Sequence, residues 1–373
     1  MRGPDAASPE PAVLKRVKLF NYSGPMKTLR VVVPTPLPEE LCELIERTEP
    51  RVEVVRDQAL LPPQRYPGDH SGDETFTRTP DEQARFEKLI DSADALYGVP
   101  DQSSSQLKRT VEANRRLQWV HTTPAGGGGQ VRAAGLGQEQ LERIAFTTSG
   151  GVHAQPLAEF ALFGVLAGLK DLSRLLDDQR SRTWGERRAL AQLSSATVLV
   201  VGLGGIGRAV AGKLAALGAR VIGAHRREVE VPGVERIFPM EDLAHAVAGA
   251  DAIVVCLPGT TATHRVVSRT VLANVKPGAT LVNVGRGATV DEPALVEALG
   301  DGRVGFAALD VFDTEPLPVD SPLWGMPNVL ISPHAAAVND DEERLIAELF
   351  ASNATRLLNG EPLVNRVNTI EFY

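Results

Sequence analysis

Residues 196 to 207 read ATVLVVGLGGIG, an apolar run typical of a buried strand that leads directly into a Gly-x-Gly-x-x-Gly motif. The helix-like segment 208–217 follows at once. In this order the first glycine allows a tight turn, the second lets the backbone approach a pyrophosphate, and the third lets helix and strand pack closely. The motif predicts a dinucleotide site formed by Gly202, Gly204, Gly205, Ile206 and Gly207.

The end of the next predicted strand, residues 220–224, indicates which dinucleotide is bound. An acidic residue would bind the ribose 2′-hydroxyl of NAD about 20 residues after the glycines. This chain has His225, Arg226 and Arg227 there, with Glu228 only afterwards. Two guanidinium groups suit a 2′-phosphate, so NADP(H) is favoured. NAD(H) stays possible if the arginines form a solvated loop and Glu228 reaches the ribose.

Composition argues against several classes of partner. The 373 residues carry 39 basic and 47 acidic side chains, a net charge of −8, and no long basic run, so no nucleic acid is expected. The longest apolar stretch, residues 160–169, is about half of the roughly 20 residues that a membrane span needs, so we expect a buried helix and no membrane partner. Cys42 and Cys256 show neither disulfide nor zinc spacing, so we expect a cytoplasmic protein without a metal.

The pattern of elements predicts two α/β halves. Strands are predicted near 29–33, 52–55, 95–98, 117–121 and 144–147, with a polar excursion at 56–79 and a long linking helix at 155–180. Strands near 197–201, 220–224, 252–257, 280–284, 305–310 and 329–332 alternate with helices, as in a doubly wound parallel sheet. The last helix, about 340–358, is expected to return to the first half.

Two further sequence features suggest chemistry. Four consecutive glycines, residues 126–129, follow the strand at 117–121 and predict a loop with accessible backbone amides. Polar residues also follow successive strands of the second half, at the edge where open α/β sheets bind ligands. These residues are Arg286, Asp310, Glu315 and His334.

Together these residues resemble the D-isomer-specific 2-hydroxyacid dehydrogenases, a family that includes glyoxylate and hydroxypyruvate reductases. The resemblance extends from about residue 29 to residue 367. It rests on GLGGIG at 202–207, LVNVGRG at 281–287, LDVFDTEPL at 309–317 and SPHAA at 332–336.

The resemblance implies roles for particular residues. Arg286 would hold the substrate's carboxylate and carbonyl oxygen, His334 would be the acid/base residue, and Glu315 would orient its ring. Backbone amides of Ala125, Gly126 and Gly127 would bind the carboxylate, although the family's usual segment there resembles A-G-V-D. The residues implied to line the cofactor in addition are Leu257, Pro258, Val284 and Asp310.

The resemblance also implies architecture and activity. We expect a flavodoxin-like substrate domain of residues 27–152 completed by 337–373, an inserted Rossmann domain of residues 153–336, and an N-terminal extension of residues 1–26. The expected activity is NAD(P)-dependent interconversion of a small 2-oxo acid and its D-2-hydroxy acid by a homodimer. The alternatives are a dinucleotide-sensing, corepressor-like binding protein, or a dehydrogenase of this fold acting on formate or phosphite; Pro333 argues against formate, because a glutamine would be expected before the histidine.

Overall fold

Two parallel β-sheets, each covered by helices, make up the protein. The computed structural model describes residues 28–66, 68–370 and 372, so the predicted extension at residues 1–26 lies outside the described residues. The predicted two-domain α/β class is confirmed. The domain boundaries after residues 152 and 336 remain our proposal.

The first sheet has five strands in the order β2-β1-β3-β4-β5, which is the flavodoxin-like order. Its strands are β1 (Leu29–Val32), β2 (Val52–Val55), β3 (Ala95–Tyr97), β4 (Trp119–Thr122) and β5 (Ala145–Thr148). Its helices are α1 (Glu39–Thr48), α2 (Pro80–Ile90), α3 (Ser104–Ala113), α4 (Gly128–Ala133) and α5 (Gln138–Arg143). Apolar clusters cover both faces of this sheet.

The second sheet has seven parallel strands in the order β12-β11-β10-β9-β6-β7-β8, the doubly wound Rossmann arrangement with one added strand. Its strands are β6 (Thr197–Val201), β7 (Arg220–His225), β8 (Val234–Pro239), β9 (Ala252–Val255), β10 (Ala279–Asn283), β11 (Val304–Leu309) and β12 (Val329–Ile331). Its helices are α6 (Ala154–Leu169), α7 (Leu172–Arg180), α8 (Gly205–Ala216), α9 (Leu243–Ala246), α10 (Arg269–Ala273) and α11 (Glu292–Gly300).

The last helix, α12 (Glu342–Leu358), packs against α1 on the five-stranded sheet. The ring of Phe350 stacks on Trp119, with centroids 4.3 Å apart and planes inclined by 13°. The chain beyond α12 then lies along β5: Thr147 and Arg366 form an antiparallel bridge, and the Val367 amide donates to the Phe146 carbonyl at 2.8 Å. The C-terminal segment therefore covers this edge of the first sheet.

Two predictions about elements were wrong. The helix predicted over 155–180 is divided at Asp171, which has a left-handed φ of 54°. Helix α6 lies on the sheet, where Gly168 approaches Thr280 too closely for a Cβ. Helix α7 buries none of its residues, so the apolar stripe ends at Leu169. The prediction also lacked β8, an edge strand whose mixed polar sequence resembles a loop.

Within the described part of the chain, the structure contains no helix with the length and apolar character that crossing a membrane requires.

Candidate active site

The glycine motif forms the turn that its sequence predicts. Gly202 has a φ of 95°, a conformation that favours glycine. A Cβ on Gly207 would lie 1.8 Å from the Gly202 carbonyl oxygen, so only glycine allows α8 to start this close to β6. Gly204 precedes the first residue of α8, and a Cβ there would meet nothing within 4 Å. An open helix N-terminus beneath a glycine fits the pyrophosphate of a dinucleotide.

The segment after β9 is wedged between two glycine-bearing loops. A Cβ on Gly202 would lie 2.8 Å from Leu257 Cδ2, and a Cβ on Gly285 would lie 2.5 Å from the Leu257 carbonyl oxygen. Val284, between β10 and Gly285, is buried. These contacts bring Leu257, which precedes Pro258, between the Gly202 turn and the segment of Val284 and Gly285, as the resemblance implies for residues that line the cofactor.

Basic side chains surround the end of β7. The Leu203 amide donates to His225 Nδ1 at 3.3 Å, so His225 holds the glycine turn itself. Burial lowers the pKa of His225, and the positive charges of Arg227, Arg226 and Arg208 act in the same direction. Sequence reasoning missed Arg208, which directly follows the glycine motif and shares this environment.

Asp310 organises the loop that carries His334. Its buried Oδ1 accepts hydrogen bonds from the Ser332 hydroxyl at 2.6 Å and from the amides of Ala335 and Ala336 at 2.9 and 3.0 Å. The Asp310 carbonyl accepts from the His334 amide at 2.9 Å. His334 has a left-handed φ of 55°, an uncommon conformation for a residue with a side chain.

Glu315 contacts the His334 ring directly. His334 Nδ1 lies 2.7 Å from Glu315 Oε2, while Glu315 Oε1 accepts from the Phe312 amide at 2.9 Å. Both side chains are partly exposed, at 45% for His334 and 35% for Glu315. The predicted pair is therefore brought together across 19 residues, with a carboxylate that is itself held in place.

Arg286 lies on the neighbouring loop, after β10. Its carbonyl accepts hydrogen bonds from the Thr289 hydroxyl at 2.6 Å and from Asn283 Nδ2 at 3.2 Å, and these contacts fix the turn. Gly287 is pressed against Phe312, where a Cβ would lie 1.8 Å from the Phe312 carbonyl carbon. The Arg286 loop thus touches the residue whose amide orients Glu315.

The glycine-rich segment reaches Arg286 from the other sheet. A Cβ on Gly126 would lie 2.9 Å from Arg286 Nη2. The prediction that all four glycines form a loop was wrong: Gly126 and Gly127 form a turn, but Gly128 and Gly129 begin α4. Gly127 lacks room for a side chain because its Cβ would lie 1.8 Å from Thr122 Oγ1.

Two other histidines have structural partners. His121 is buried, with Nδ1 2.8 Å from Thr147 Oγ1 and Nε2 3.1 Å from Ser149 Oγ, and burial lowers its pKa to about 3. His153 Nε2 lies 2.8 Å from Glu342 Oε1. His121 therefore stays neutral near pH 7. Among the described residues no cluster of three or more His, Cys, Asp or Glu side chains has the geometry to hold a metal ion.

Comparison with known proteins agrees with this geometry. The family model described as the NAD-binding domain of D-isomer specific 2-hydroxyacid dehydrogenases matches residues 162–336. A glyoxylate/hydroxypyruvate reductase B from Pectobacterium carotovorum is 39% identical over 173 residues, which cover 46% of this chain and 54% of that protein. The chain thus spans about half the length of this relative. An "uncharacterized protein in proB 3'region" from Corynebacterium melassecola is 34% identical over 234 residues, 62% of this chain and 77% of that one.

Among solved structures, a D-isomer specific 2-hydroxyacid dehydrogenase from Xanthobacter autotrophicus Py2, in complex with NADPH and MES, matches with a TM-score of 0.72 and 28% identity. The match covers 93% of this chain and all of that one. The fold and the family model define an NAD(P)-dependent oxidoreductase built from two α/β units. The chain belongs to the D-isomer-specific 2-hydroxyacid dehydrogenase family.

Substituting three glycines separates cofactor binding from stability. Gly204→Ala should leave the free energy of unfolding within about 0.5 kcal/mol of the wild type but weaken NADPH binding at least ~10-fold, because its methyl group points where a pyrophosphate would approach. Gly207→Ala should cost at least about 2 kcal/mol of stability, because the new Cβ overlaps the Gly202 carbonyl. Denaturant unfolding and NADPH fluorescence titration measure the two effects.

The matched control is Gly212→Ala, also in α8, where a Cβ meets nothing within 4 Å. It should preserve NADPH affinity and leave stability unchanged or slightly higher. Unchanged NADPH affinity in Gly204→Ala would contradict the assignment of this turn.

Proposed function

We propose that the protein catalyses reversible hydride transfer between NADP(H) and a small 2-oxo acid, with the D-2-hydroxy acid as the reduced product. The observation that carries the proposal is the 2.7 Å contact between His334 and Glu315. The loop of Glu315 adjoins the loop of Arg286, and Arg286 in turn approaches the turn at Gly126. The name of the Pectobacterium relative, a glyoxylate/hydroxypyruvate reductase, supports a small 2-oxo acid as substrate.

Arg286 and the backbone at residues 125–127 would clamp the substrate from opposite sides. A guanidinium offers parallel N–H donors that match a carboxylate and an adjacent carbonyl oxygen. The close approach of Arg286 Nη2 to Gly126 supports one shared binding position between the two sheets. A side chain at position 126 would enter the space that the guanidinium and substrate need.

His334 would move the proton. Glu315 occupies Nδ1, which leaves Nε2 to donate a proton to the carbonyl oxygen during reduction or to accept the hydroxyl proton in the reverse direction. Glu315 also stabilises the positive charge on the ring before the proton is given up. When bound, the nicotinamide supplies or accepts the hydride.

Three arginines support NADP(H) over NAD(H). Arg226 and Arg227 follow β7 at the ribose end of the site, and Arg208 acts on the same His225 environment. The Xanthobacter structure, 28% identical, was solved with NADPH. The buried free thiols Cys42 and Cys256 suit the reducing cytoplasm that we propose as its compartment.

We also propose that the protein is a homodimer formed through its Rossmann half. Large apolar side chains on α6, α7 and the segment after them are exposed: Phe163 by 49%, Leu175 by 43%, Leu176 by 37% and Trp184 by 99%. Several large exposed apolar side chains on consecutive segments of one half are typical of a protein–protein interface.

Sedimentation equilibrium should give about twice the chain mass of 39.9 kDa. The double variant Leu176→Asp/Trp184→Ser should shift the protein toward monomer, since it introduces charge and removes apolar area from the interface. Leu217→Asp, at a 53% exposed site after α8, should stay dimeric. A wild-type monomer at micromolar concentration would refute the dimer.

The cofactor and substrate assignments are tested by following nicotinamide absorbance with NADPH or NADH and a panel of glyoxylate, hydroxypyruvate, pyruvate and phenylpyruvate. We expect oxidation of NADPH that depends on the 2-oxo acid. In Arg226→Ala/Arg227→Ala, the preference for NADPH over NADH in kcat/KM should fall at least ~10-fold, because charge-assisted bonds to the 2′-phosphate are lost. Arg220→Ala, at the other end of β7, is the control.

Oxidation of NADH alone would keep the enzyme and refute the cofactor preference. Tight cofactor binding without turnover of any acid would instead favour the sensing protein or a different small anion as substrate.

The proton-transfer role is tested by removing the ring. His334→Ala should lower kcat ~1,000-fold with NADPH affinity nearly unchanged, because general acid–base groups contribute about 10²–10⁴ in rate. Glu315→Gln should give a smaller loss, since an amide oxygen can still orient the ring without its charge. His245→Gln, at an exposed histidine of α9, should have no effect. Loss of NADPH binding in His334→Ala would contradict the assigned role.

A further inference from the structure

The turn formed by Gly126 and Gly127, called the glycine turn from here on, cannot be held in place by side chains of its own. A turn that must hold a carboxylate needs a fixed backbone, yet Gly126 and Gly127 have no side chains with which to anchor it. Glycine loses more backbone freedom on ordering than any other residue, so an unsupported glycine turn binds ligand at an entropic cost. The support must come from neighbouring residues.

Gln130, in the first turn of α4, provides a direct anchor. Its Nε2 donates to Gln102 Oε1 at 3.1 Å and approaches the Gln102 carbonyl at 3.4 Å. Val131 packs in the same buried cluster as Val99. The helix that begins with Gly128 is therefore fixed to residues 98–103, the loop after β3.

That loop is itself held in an unfavourable backbone conformation. Asp101 and Gln102 are consecutive residues with left-handed φ values of 51° and 49°. Residues other than glycine adopt this region at a cost, and such strain persists only where the surroundings impose it. The loop therefore needs its own anchor.

Arg78 provides that anchor. Its Nη1 lies 2.9 and 3.2 Å from the two carboxylate oxygens of Asp101, and its Nε donates to the Leu60 carbonyl at 2.6 Å. The guanidinium lies 3.6 Å from the centroid of the Phe86 ring, and the side chain is only 8% exposed. Arg78 lies near the end of the 56–79 excursion and Leu60 lies near its start, so the Arg78 side chain connects both parts of the excursion to the Asp101 loop.

We propose that Arg78, Asp101, Gln102 and Gln130 are positioning residues for the substrate's carboxylate. Arg78, packed on Phe86, binds Asp101, and the neighbouring Gln102 binds Gln130 next to the glycine turn. Gly126 of that turn approaches the Arg286 guanidinium. This proposal rests on the proposed function, because it assumes that the turn binds the acid. It gives the 56–79 excursion a role in substrate affinity without substrate contact.

The test removes one contact far from the reacting atoms. Gln130→Leu keeps the side chain's size but loses its amide, and Gln138→Leu removes an exposed glutamine of α5 that bonds Glu142. Hydrogen exchange of a peptide covering residues 125–131, the KM and kcat for the best 2-oxo acid, and the Kd for NADPH are measured for both.

We expect amide exchange at 125–131 to accelerate about fivefold in Gln130→Leu and the KM for the acid to rise by a similar factor, as the loss of one neutral hydrogen bond implies. The kcat and the NADPH Kd should stay within twofold. Gln138→Leu should match the wild type. Asp101→Asn, which tolerates left-handed φ but weakens the Arg78 contact, should raise the KM in the same direction.

Faster exchange without a KM increase would overturn the proposal, since the network would then support a turn that does not bind substrate. Unchanged exchange in Gln130→Leu would overturn it as well. If the wild type reduces no 2-oxo acid, the proposed function fails, and the positioning role in substrate binding fails with it. The exchange data alone then report whether the network orders the turn.

Discussion

The geometry of the active site depends on one buried carboxylate oxygen. Asp310 Oδ1 gathers three donors from the segment that carries His334, and removing any of them would leave a desolvated charge incompletely paired. That penalty is what holds His334 at its unfavourable φ of 55°. The Asp310 carboxylate thus sets the position of the His334 ring, which we propose as the acid/base group.

The two walls of the site obtain rigidity by different means. On the seven-stranded sheet, loops are locked by backbone approaches that exclude a Cβ, as at Gly207, Gly285 and Gly287. Because these backbone atoms are already in close contact, the loops cannot shift by small amounts. On the five-stranded sheet, the wall is a glycine turn followed by a short helix, and its order derives from polar side chains on a separate loop. Under the proposed function, substitutions elsewhere in the first half are expected to change substrate affinity without changing the cofactor site.

Sequence patterns predicted every described strand of the two sheets except β8, and the family resemblance implied the pairing of Glu315 with His334. Continuous apolar strands and a glycine motif between strand and helix leave few alternative folds. They were insufficient where a backbone is determined by contacts distant in sequence. The helix break at Asp171 and the helical start at Gly128 depend on tertiary packing, and the edge strand β8 has no apolar stripe.

The hydrogen bonds that Asp310 accepts could not be predicted for a similar reason. Their donors lie 22 to 26 residues away in sequence, and two of the donors are backbone amides, which no side-chain pattern reveals. The left-handed φ values of the consecutive residues Asp101 and Gln102 likewise could not be predicted, because no glycine in the sequence marks either position.

The C-terminal segment along β5 has a consequence for synthesis on the ribosome. The first sheet needs α12 for one of its faces and residues 365–367 for one edge, so its core stays incomplete until residue 367 has been synthesised. The strands of the seven-stranded sheet end at Ile331, and that sheet can assemble earlier. The half that is translated first is therefore the half whose core is completed last, and until then one apolar face and one strand edge of its sheet are uncovered.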